Sequence, residues 1–313
     1  MKTFPDIDIL TEYLSSMMPK SEMSIEIISR KEFYEASTFP VEIVKCKTAG
    51  GRTIDLFCKY LGGMGPNNYG HRGGVEYEAN IYENVLNKTP CSKIKYYGQC
   101  RLAGGTEFLL VLEYLGETLQ MKYSVDPDAT LKASEWIGKF HHANEGNVPT
   151  LVHVYDRTYY LGWSERFRNL TSMQYEKFPW LERLSDYFDD TISLMIEGPL
   201  TIIHGEYYPK NILLKKGIIY PVDWESGAIA PGEIDLASLI EGWDKESAFP
   251  IIKKYKESRW PDGIVPIKEF EKRLLMSQIY FNFWWWPEKA DNMNFDSEAF
   301  QKLFEMSKVA GVV

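Results

Sequence analysis

The sequence predicts an α+β fold in two lobes, a sheet-rich first lobe and a larger, mostly helical second lobe. The chain has 313 residues, and a single hydrophobic core stops growing at about 250–300 residues, so two lobes are expected. Apolar and polar residues alternate along much of residues 1–115, whereas residues 116–313 mostly show apolar residues at helical spacing. We therefore predict a domain boundary between residues 115 and 116.

The first lobe is predicted to be an antiparallel sheet with one main helix. Two alternating runs flank AGGR at residues 49–52, which is typical of a β-hairpin. The main helix is predicted over VEYEANIYENVLNK, where Val75, Ala79 and Tyr82 share one face. The Gly-, Pro- and Asn-rich residues 61–74 before it indicate a flexible loop. The other segments are DIDILTEYLSSM as a helix, SIEIIS as a strand, and KIKYYGQCRLAGGTEFLLVLEYL as two or three strands.

The second lobe is predicted to be helical apart from a few short strands. Three segments have apolar residues at helical spacing, and residues 234–306 are again mostly helical. Short apolar runs before and around a Lys-Lys-Gly turn indicate strands. The helices are predicted over DATLKASEWIGKFHHAN, ERFRNLTSMQYEKF and WLERLSDYFDDTISLMIEG, and the strands over LTIIH and NILLKKGIIYPVDW.

Composition and charge exclude several functional classes. The formal net charge of −9 argues against nucleic-acid binding, because that needs a clustered Lys/Arg surface. No run of about 18 apolar residues occurs, so no membrane span is expected. The first residues lack the apolar core of a signal peptide, so the cytoplasm is the expected location. The cysteines are interpreted as reduced thiols, with a Cys91–Cys100 disulfide left open, and the oligomeric state is not indicated.

Residues 204–225, HGEYYPKNILLKKGIIYPVDWE, concentrate a His, an Asn and several acids between short apolar runs. Phosphoryl transfer from ATP needs metal ions on the phosphates, a cation that grips them and a carboxylate that orients the attacking hydroxyl. Protein kinases supply these groups in a fixed order along the chain. Lys on a strand, Glu on a helix, a loop with a carboxylate and an Asn, and a later Asp occur here in that order, as Lys59, Glu78, Glu206, Asn211 and Asp223.

The predicted main helix offers three acids as the partner of Lys59, namely Glu76, Glu78 and Glu83. We prefer Glu78 because it lies four residues before Tyr82 and so shares a helix face with it. A Lys at the end of an amphipathic strand is usually solvated. The assignment of Lys59 as the phosphate-binding Lys therefore depends on the position of its strand before this helix.

The same segments resemble the aminoglycoside phosphotransferase and choline kinase family, which comprises kinase-fold enzymes that phosphorylate small molecules. The most specific part is residues 201–239, with His-Gly-acid, an Asn five positions after the acid, VDWE and PGEIDLASL. FLLVLEYL resembles the strand and hinge that receive adenine, and WIGKFHHA resembles a family helix with a His. The resemblance implies a bilobal protein-kinase-like fold, with ATP and Mg²⁺ as cofactors. It also implies that the acceptor is a hydroxyl of a small molecule such as an antibiotic, an amino alcohol or a sugar.

The resemblance implies a role for each of the five residues. Asn211 and Asp223 would hold Mg²⁺, and Lys59 would contact the α- and β-phosphates while Glu78 orients it. Glu206 would accept the proton of the acceptor hydroxyl. These five residues are therefore the predicted catalytic and metal-binding set.

The resemblance also implies roles for backbone contacts. Glu113, Tyr114 and Leu115 would lie beside adenine through backbone groups. Asp235 would hydrogen-bond the backbone of the catalytic loop rather than touch the substrate. His204 is expected to brace that loop with its side chain.

Two features depart from the family pattern. Glu206 stands where the family has Asp, and a misplacement of about 1 Å can cost roughly 100-fold in rate. Residues 29–39, SRKEFYEASTF, occupy the place of the phosphate-covering loop and contain no Gly. Both features favour an alternative, a pseudokinase-like nucleotide-binding or scaffold protein with little or no transfer activity. The joint presence of the predicted phosphate- and metal-binding residues favours the enzyme.

Two groups of side chains have competing interpretations. His141 and His142 are adjacent, so on a helix they point about 100° apart and cannot serve one metal, which favours packing roles. IYFNFWWWPEK contains three consecutive Trp at residues 284–286. At least one of them should be partly exposed unless it lines a cleft. Two interpretations of this stretch are open: packing in the core, or a wall of the acceptor site.

Overall fold

The structure, a computed structural model, describes residues 4–19, 24–34, 39–61, 72–102, 108–124, 126, 128–263, 265, 269–288 and 297–313. The chain forms two compact units. Of the described residues, the first unit includes those up to Ala129 and Pro209–Ser226, and the second includes those of Thr130–Tyr208 and Gly227–Val313. The segment that contains Asn211 and Asp223 thus packs with the sheet-rich unit. The prediction that residues 1–115 bind the nucleotide and that residues 116–313 carry catalysis and substrate binding stays a prediction.

The described residues form helices and strands in an α+β arrangement. The helices are α1 (Ile7–Met17), α2 (Gly74–Asn84), α3 (Ala129–Asn144), α4 (Arg157–Thr171), α5 (Trp180–Thr191), α6 (Ser193–Ile196), α7 (Glu233–Leu239), α8 (Lys245–Arg259), α9 (Phe270–Glu288) and α10 (Glu298–Val309). The strands are β1 (Ile25–Glu32), β2 (Val41–Thr48), β3 (Thr53–Tyr60), β4 (Tyr96–Arg101), β5 (Phe108–Glu113), β6 (Leu119–Gln120), β7 (His153–Val154), β8 (Thr201–Ile203), β9 (Ile212–Lys215), β10 (Ile218–Pro221) and β11 (Ala228–Ala230).

The first unit is built on an antiparallel five-stranded sheet with the order β1-β2-β3-β5-β4. Side chains alternate between the two faces of a strand, so Leu56, Cys58 and Tyr60 of β3 join the hydrophobic cluster that α1 covers with its own apolar face. Lys59 therefore points to the opposite face of the sheet. Helix α2 packs against β4 and β5.

A second, three-stranded sheet in this unit has the order β10-β9-β6. Strands β9 and β10 form an antiparallel hairpin in which Pro221 pairs with Ile212. Gly217, with φ of 76°, supplies the left-handed backbone that its tight turn requires. The hairpin therefore brings the residues before β9 and after β10 to the same end, where Asn211 and Asp223 lie.

The second unit is mainly helical, with one small sheet of order β7-β11-β8. Helices α4 and α9 pack closely, and the rings of Phe167 and Phe283 stack with centroids 4.3 Å apart. Helix α7 packs against α9 as well, and all its residues are buried. Because α7 carries Asp235, the core of this unit fixes the position of that carboxylate.

The sequence predicted most of these elements. The helix before β1, the β2–β3 hairpin, the main helix α2 and the β9–β10 hairpin are confirmed. The short strands β6, β7 and β11 were not predicted. The predicted flexible loop over residues 61–74 is wrong at its end, because α2 begins at Gly74, and residues 62–71 lie outside the described residues. Within the described ranges, no helix combines the length and apolarity needed to cross a membrane.

Candidate active site

Lys59 lies between two carboxylates in the first unit. Its Nζ donates to Oε2 of Glu78 at 2.6 Å and to Oδ1 of Asp223 at 2.9 Å. Lys59 and Glu78 are buried, whereas the side chain of Asp223 is 41% exposed. A buried ammonium is tolerated only when it is paired, so both acids stabilise Lys59 in place. The expected pairing of Lys59 with Glu78 is present.

The charges of this group are coupled. Burial alone would lower the pKa of Lys59, but the carboxylates of Glu78, Asp223 and Glu225 outweigh that effect and raise the pKa, so the ammonium stays charged. Burial raises the pKa of Glu78, and Lys59 opposes this rise. The result is a fixed positive charge with one partly exposed carboxylate beside it.

Helix α2 is also bonded to the segment that carries Asp223. Oε1 of Glu78 accepts a hydrogen bond from the backbone N–H of Trp224 at 3.2 Å, and the N–H of Gly73 donates to the carbonyl of Glu225 at 2.7 Å. Asp223 has a φ of 67°, which is uncommon for a residue other than Gly. Backbone strain of this kind persists only where the surroundings enforce it, and the bonds to Glu78 supply part of that support.

Asn211 and Asp223 lie at the open end of the β9–β10 hairpin. The N–H of Val222 donates to the carbonyl of Asn211 at 2.9 Å, and this bond joins the two segments that enter and leave the hairpin. Oδ2 of Asp223 accepts no hydrogen bond from any described residue, and its side chain is partly exposed. Amide and carboxylate oxygens suit Mg²⁺, which proteins bind through one or two carboxylates together with substrate phosphates. The residues present therefore fit this ion.

Glu225 is a member of this cluster to which the sequence argument gave no role. It is buried, and Oε2 has no hydrogen-bond partner among the described residues. Burial, with Asp223 as the next cause, raises the pKa of Glu225 to about 7, against the opposing effect of Lys59. The only signal in the sequence was its place in VDWE, two residues after Asp223. Across the described residues, no group of three or more His, Cys, Asp and Glu side chains is arranged to hold a metal ion.

The predicted adenine contacts begin at Glu113, the last residue of β5. The N–H of Glu113 donates to the carbonyl of Lys95 at 2.8 Å, and the N–H of Tyr114 donates to the carbonyl of Asp55 at 2.9 Å. No described residue accepts a hydrogen bond from the N–H of Leu115. Of the three residues, only Leu115 therefore keeps a backbone donor available.

The carbonyl of Leu115 has a charged partner that the sequence did not suggest. Nζ of Lys215, the last residue of β9, donates to it. This contact joins the segment after β5 to the turn end of the β9–β10 hairpin, opposite the end that carries Asn211 and Asp223. Lys215 belongs to the Lys-Lys-Gly turn, which in the sequence indicated only a turn.

Glu206 lies in the second unit, in the loop that follows β8, and is buried with 4% exposure. The loop is held by Asp235: Oδ2 accepts from the N–H of His204 at 2.6 Å, and Oδ1 accepts from the N–H of Gly205 at 2.9 Å. The expectation that Asp235 bonds the backbone of this loop is confirmed. Gly205 has a φ of 84°, so the turn before Glu206 needs a glycine.

The other side of the Glu206 loop is anchored as well. The N–H of Glu206 donates to Nδ1 of His204 at 3.3 Å, so His204 braces the loop as expected. The hydroxyl of Tyr207 donates to the carbonyl of Ala133 at 2.9 Å, and its ring stacks on Trp136. Glu206 is therefore fixed through both of its chain neighbours.

The two adjacent histidines differ in their surroundings. His141 is fully buried, with Nδ1 at 2.9 Å from the hydroxyl of Tyr255 and Nε2 at 3.1 Å from Oδ2 of Asp235. His142 is exposed, so the interpretation of His142 as a packing residue is wrong. An adjacent residue on a helix faces another side, and here that side is open.

The three consecutive Trp of α9 divide between core and surface. Trp284 and Trp286 are buried, whereas Trp285 is 40% exposed, which confirms that at least one would be partly exposed. The ring of Phe281 lies 6.1 Å from Trp284 and 5.8 Å from Tyr208. Because Tyr208 is two residues from Glu206, this row of rings leads from α9 to the Glu206 loop.

The predicted site residues thus form two groups. Lys59, Glu78, Asn211 and Asp223 come together in the first unit, and Glu206 lies in the second. A lysine on a sheet strand, its glutamate on the neighbouring helix and an Asn and Asp on a later hairpin are the arrangement of a kinase-like protein. The fold and the site define that class.

The family follows from the sequence itself. The family model described as Phosphotransferase enzyme family (APH) matches residues 75–258, which is more than half of the 313-residue chain. The chain belongs to this phosphotransferase family. No curated protein gives a significant sequence match.

Solved structures give the same fold. The GDP complex of a mutant aminoglycoside 2'-phosphotransferase-IIIa is 13% identical and has a TM-score of 0.62, with 91% of this chain and 92% of that chain covered. Choline kinase from Cryptosporidium parvum Iowa II is 13% identical with a TM-score of 0.62, and 98% of each chain is covered. ADP-bound aminoglycoside phosphotransferase APH(2'')-Ib is 12% identical with a TM-score of 0.57, with 98% and 99% covered. The likeness confirms the predicted bilobal kinase-like fold.

Proposed function

We propose that this protein is an ATP- and Mg²⁺-dependent phosphotransferase that phosphorylates a hydroxyl of a small molecule. The observation that carries the proposal is the buried Lys59, bonded to both Glu78 and Asp223, with Asn211 at the same end of the hairpin. Burial of an ammonium group costs free energy, and buried charges beside a partly exposed carboxylate are typical of functional sites. The cytoplasmic location stays a prediction.

Each residue has a role in this proposal. Lys59 binds the α- and β-phosphates, and Glu78 keeps its ammonium oriented. Asn211 and Asp223 hold Mg²⁺, which when bound neutralises phosphate charge. Glu206 accepts the proton of the acceptor hydroxyl while the oxygen of that hydroxyl forms a bond to the γ-phosphorus. The bond from that phosphorus to the β-phosphate oxygen breaks, and ADP leaves.

The nucleotide base is assigned to the segment after β5. The N–H of Leu115 is the donor that the backbone of Glu113, Tyr114 and Leu115 leaves available, so it is the one we assign to the adenine ring. The first two residues contribute through their carbonyl and apolar surface. Two solved structures of the same fold, which are GDP and ADP complexes by their descriptions, favour a nucleotide site in general.

A screen of hydroxyl compounds tests the proposed function. Purified protein with Mg·ATP is offered a panel of aminoglycosides, amino alcohols, sugars and nucleosides, and ADP release is measured. We expect turnover with at least one class, abolished by removal of Mg²⁺ with EDTA. Absence of turnover across the panel, combined with retained ATP binding, would favour the pseudokinase-like alternative that Glu206 and the Gly-free residues 29–39 suggest.

The aromatic row of the second unit is proposed as part of the acceptor site. Tyr208 lies two residues from Glu206 and contacts Phe281, which contacts Trp284. Tyr208 is only partly buried, so part of its side chain is accessible to solvent. Aromatic faces bind apolar and cationic groups, and the chain's net charge of −9 is compatible with a cationic acceptor.

Substitution of Tyr208 is expected to weaken acceptor binding. In Tyr208→Leu, loss of the ring should raise the KM for the acceptor by about five- to tenfold, the scale of one aromatic contact with a cation. The KM for ATP should stay within about twofold, because the nucleotide contacts lie elsewhere. Steady-state kinetics with the acceptor found in the screen measure both constants.

Trp285→Leu is the matched control, because it also removes an aromatic ring from the second unit. Trp285 is exposed, and the row that leads to Glu206 passes through Trp284 instead. The acceptor KM of this variant should equal that of the wild type. Equal acceptor KM in the wild type, Tyr208→Leu and Trp285→Leu would refute the assignment of this row to the acceptor.

A further inference from the structure

A chain of hydrogen bonds crosses the core of the second unit and ends at the Glu206 loop. Nη1 of Arg259 donates to the hydroxyl of Tyr255 at 2.6 Å, and that hydroxyl lies 2.9 Å from Nδ1 of His141. Nε2 of His141 lies 3.1 Å from Oδ2 of Asp235. Asp235 in turn accepts the N–H groups of His204 and Gly205.

The two ends of this chain determine its direction. An arginine can only donate hydrogen bonds, and an ionised carboxylate can only accept them. Because Asp235 can only accept, a neutral His141 carries its proton on Nε2, so Nδ1 accepts from the hydroxyl of Tyr255, which itself accepts from Arg259. Burial lowers the pKa of His141, against the opposing effect of Asp235, so the neutral ring that this pattern requires is favoured.

The residues of this hydrogen-bond chain are buried in the second unit. His141, Asp235 and Arg259 are fully buried, as is Tyr255. A Cβ added to Gly232 would overlap Arg259, Tyr255 and His141, so the backbone before α7 closes against the chain. Buried polar groups that are fully bonded specify one arrangement, because any alternative leaves a partner unsatisfied.

The arginine end of this chain of hydrogen bonds is held by acidic side chains. Nε and Nη2 of Arg259 donate to Oε2 of Glu145 at 3.2 and 3.0 Å, and Oε1 of Glu233 lies 4.0 Å from Nη1. The two bonds to Glu145 keep the guanidinium in one orientation, with Nη1 aimed at Tyr255. The chain therefore runs from a fixed cation to a fixed carboxylate.

We propose that Arg259, Tyr255 and His141 are positioning residues that hold Asp235, and through Asp235 the backbone of residues 204–206, in the geometry that Glu206 needs. The proposal rests on the proposed function insofar as Glu206 is the base. Asp235 lies on α7 and the loop follows β8, so without His141 the carboxylate would be free to turn away from the two N–H groups. The phosphotransferase would then keep its nucleotide contacts but lose the fixed position of its base.

Tyr255→Phe tests the proposal, because it deletes only the hydroxyl that joins Arg259 to His141. We expect amide hydrogen exchange in residues 201–208 to become about tenfold faster, the equivalent of one lost buried hydrogen bond. With the acceptor from the screen, kcat should fall about tenfold, since a small misplacement of a base has effects of this order or larger. The KM for ATP should not change.

Tyr160→Phe is the matched control. Tyr160 is also fully buried in the second unit, and its hydroxyl has no hydrogen-bond partner among the described residues. Its loss should leave exchange in residues 201–208 and kcat at wild-type values. Equal exchange rates in Tyr255→Phe, Tyr160→Phe and the wild type would overturn the proposal.

A pair of variants at His141 gives a second measurement in case Tyr255→Phe folds poorly. His141→Gln can keep an amide N–H at the place of Nε2 and so retain the bond to Asp235, whereas His141→Leu cannot. The Gln variant should restore most of the slow exchange and of kcat that the Leu variant loses. Identical exchange in both would count against the proposal. If no acceptor is turned over by the wild type, the proposed function fails, and the exchange data still decide whether these residues position the loop.

Discussion

Glu206→Gln should lower kcat by about 100-fold or more while ATP affinity is nearly retained. The amide keeps the size and shape of the side chain but cannot accept the proton of the acceptor hydroxyl, and a positioned general base is worth about 10²–10⁴-fold. The side chain is almost fully buried in an anchored loop, so water cannot readily replace it. Steady-state kinetics with the acceptor give kcat, and isothermal titration with Mg·ATP gives the affinity.

Glu206→Asp separates position from chemistry. It retains a carboxylate but withdraws it by about 1 Å, and the loop cannot follow because Asp235 and the Tyr207–Ala133 bond hold both sides. We therefore expect an intermediate loss of kcat, even though Asp is the family's residue. A Gln variant that turns over at the wild-type rate would show that another acid serves as the base.

The order of residues along the chain predicted the Lys59–Glu78 pair, including the choice among three acids. Glu78 faces Lys59, whereas Glu76 bonds Arg101 and Glu83 bonds Gln99, both in β4. Helical periodicity contains this information, because residues two and five positions away from Glu78 point to other sides of α2. The alternation of β3 likewise determined which face of the sheet Lys59 occupies.

The surroundings of the site could not be derived in the same way. Tyr255 and His141 are 114 positions apart, and their contact depends on how α8 packs on α3. A Tyr on an amphipathic helix carries no mark of a hydrogen bond at that distance. His141 could therefore be predicted as buried but not as a polar link.

Backbone geometry was equally hidden. The left-handed φ of Asp223 is enforced by contacts with α2, and nothing in PVDWE identifies it. The N–H groups of Glu113 and Tyr114 donate to the carbonyls of Lys95 and Asp55, which come close to them only after folding. Motifs indicate which residue types are present, whereas the donors left over depend on the tertiary structure.

Asp223→Asn should abolish most of the Mg²⁺-dependent stabilisation by ATP. A ligand that binds only the native state at a hundredfold excess over its Kd stabilises by about 2.7 kcal/mol. Asn keeps the oxygen that accepts from Lys59 but removes the negative charge, and Mg²⁺ binds neutral amide oxygens less strongly than carboxylates. The melting temperature is measured with ATP and Mg²⁺ and again with ATP and EDTA. The difference between the two should nearly vanish in the variant.

Glu76→Gln controls for the loss of one negative charge in the same unit. Glu76 is partly exposed on α2 and bonds Arg101, away from Lys59 and Asp223, so its Mg²⁺-dependent shift should match the wild type. Lys59 retains Glu78 as a partner in Asp223→Asn, so the shift with ATP and EDTA should change little. If Asp223→Asn and the wild type show the same Mg²⁺-dependent shift, Asp223 is not a metal ligand, and the carboxylate beside Lys59 serves only to neutralise that ammonium.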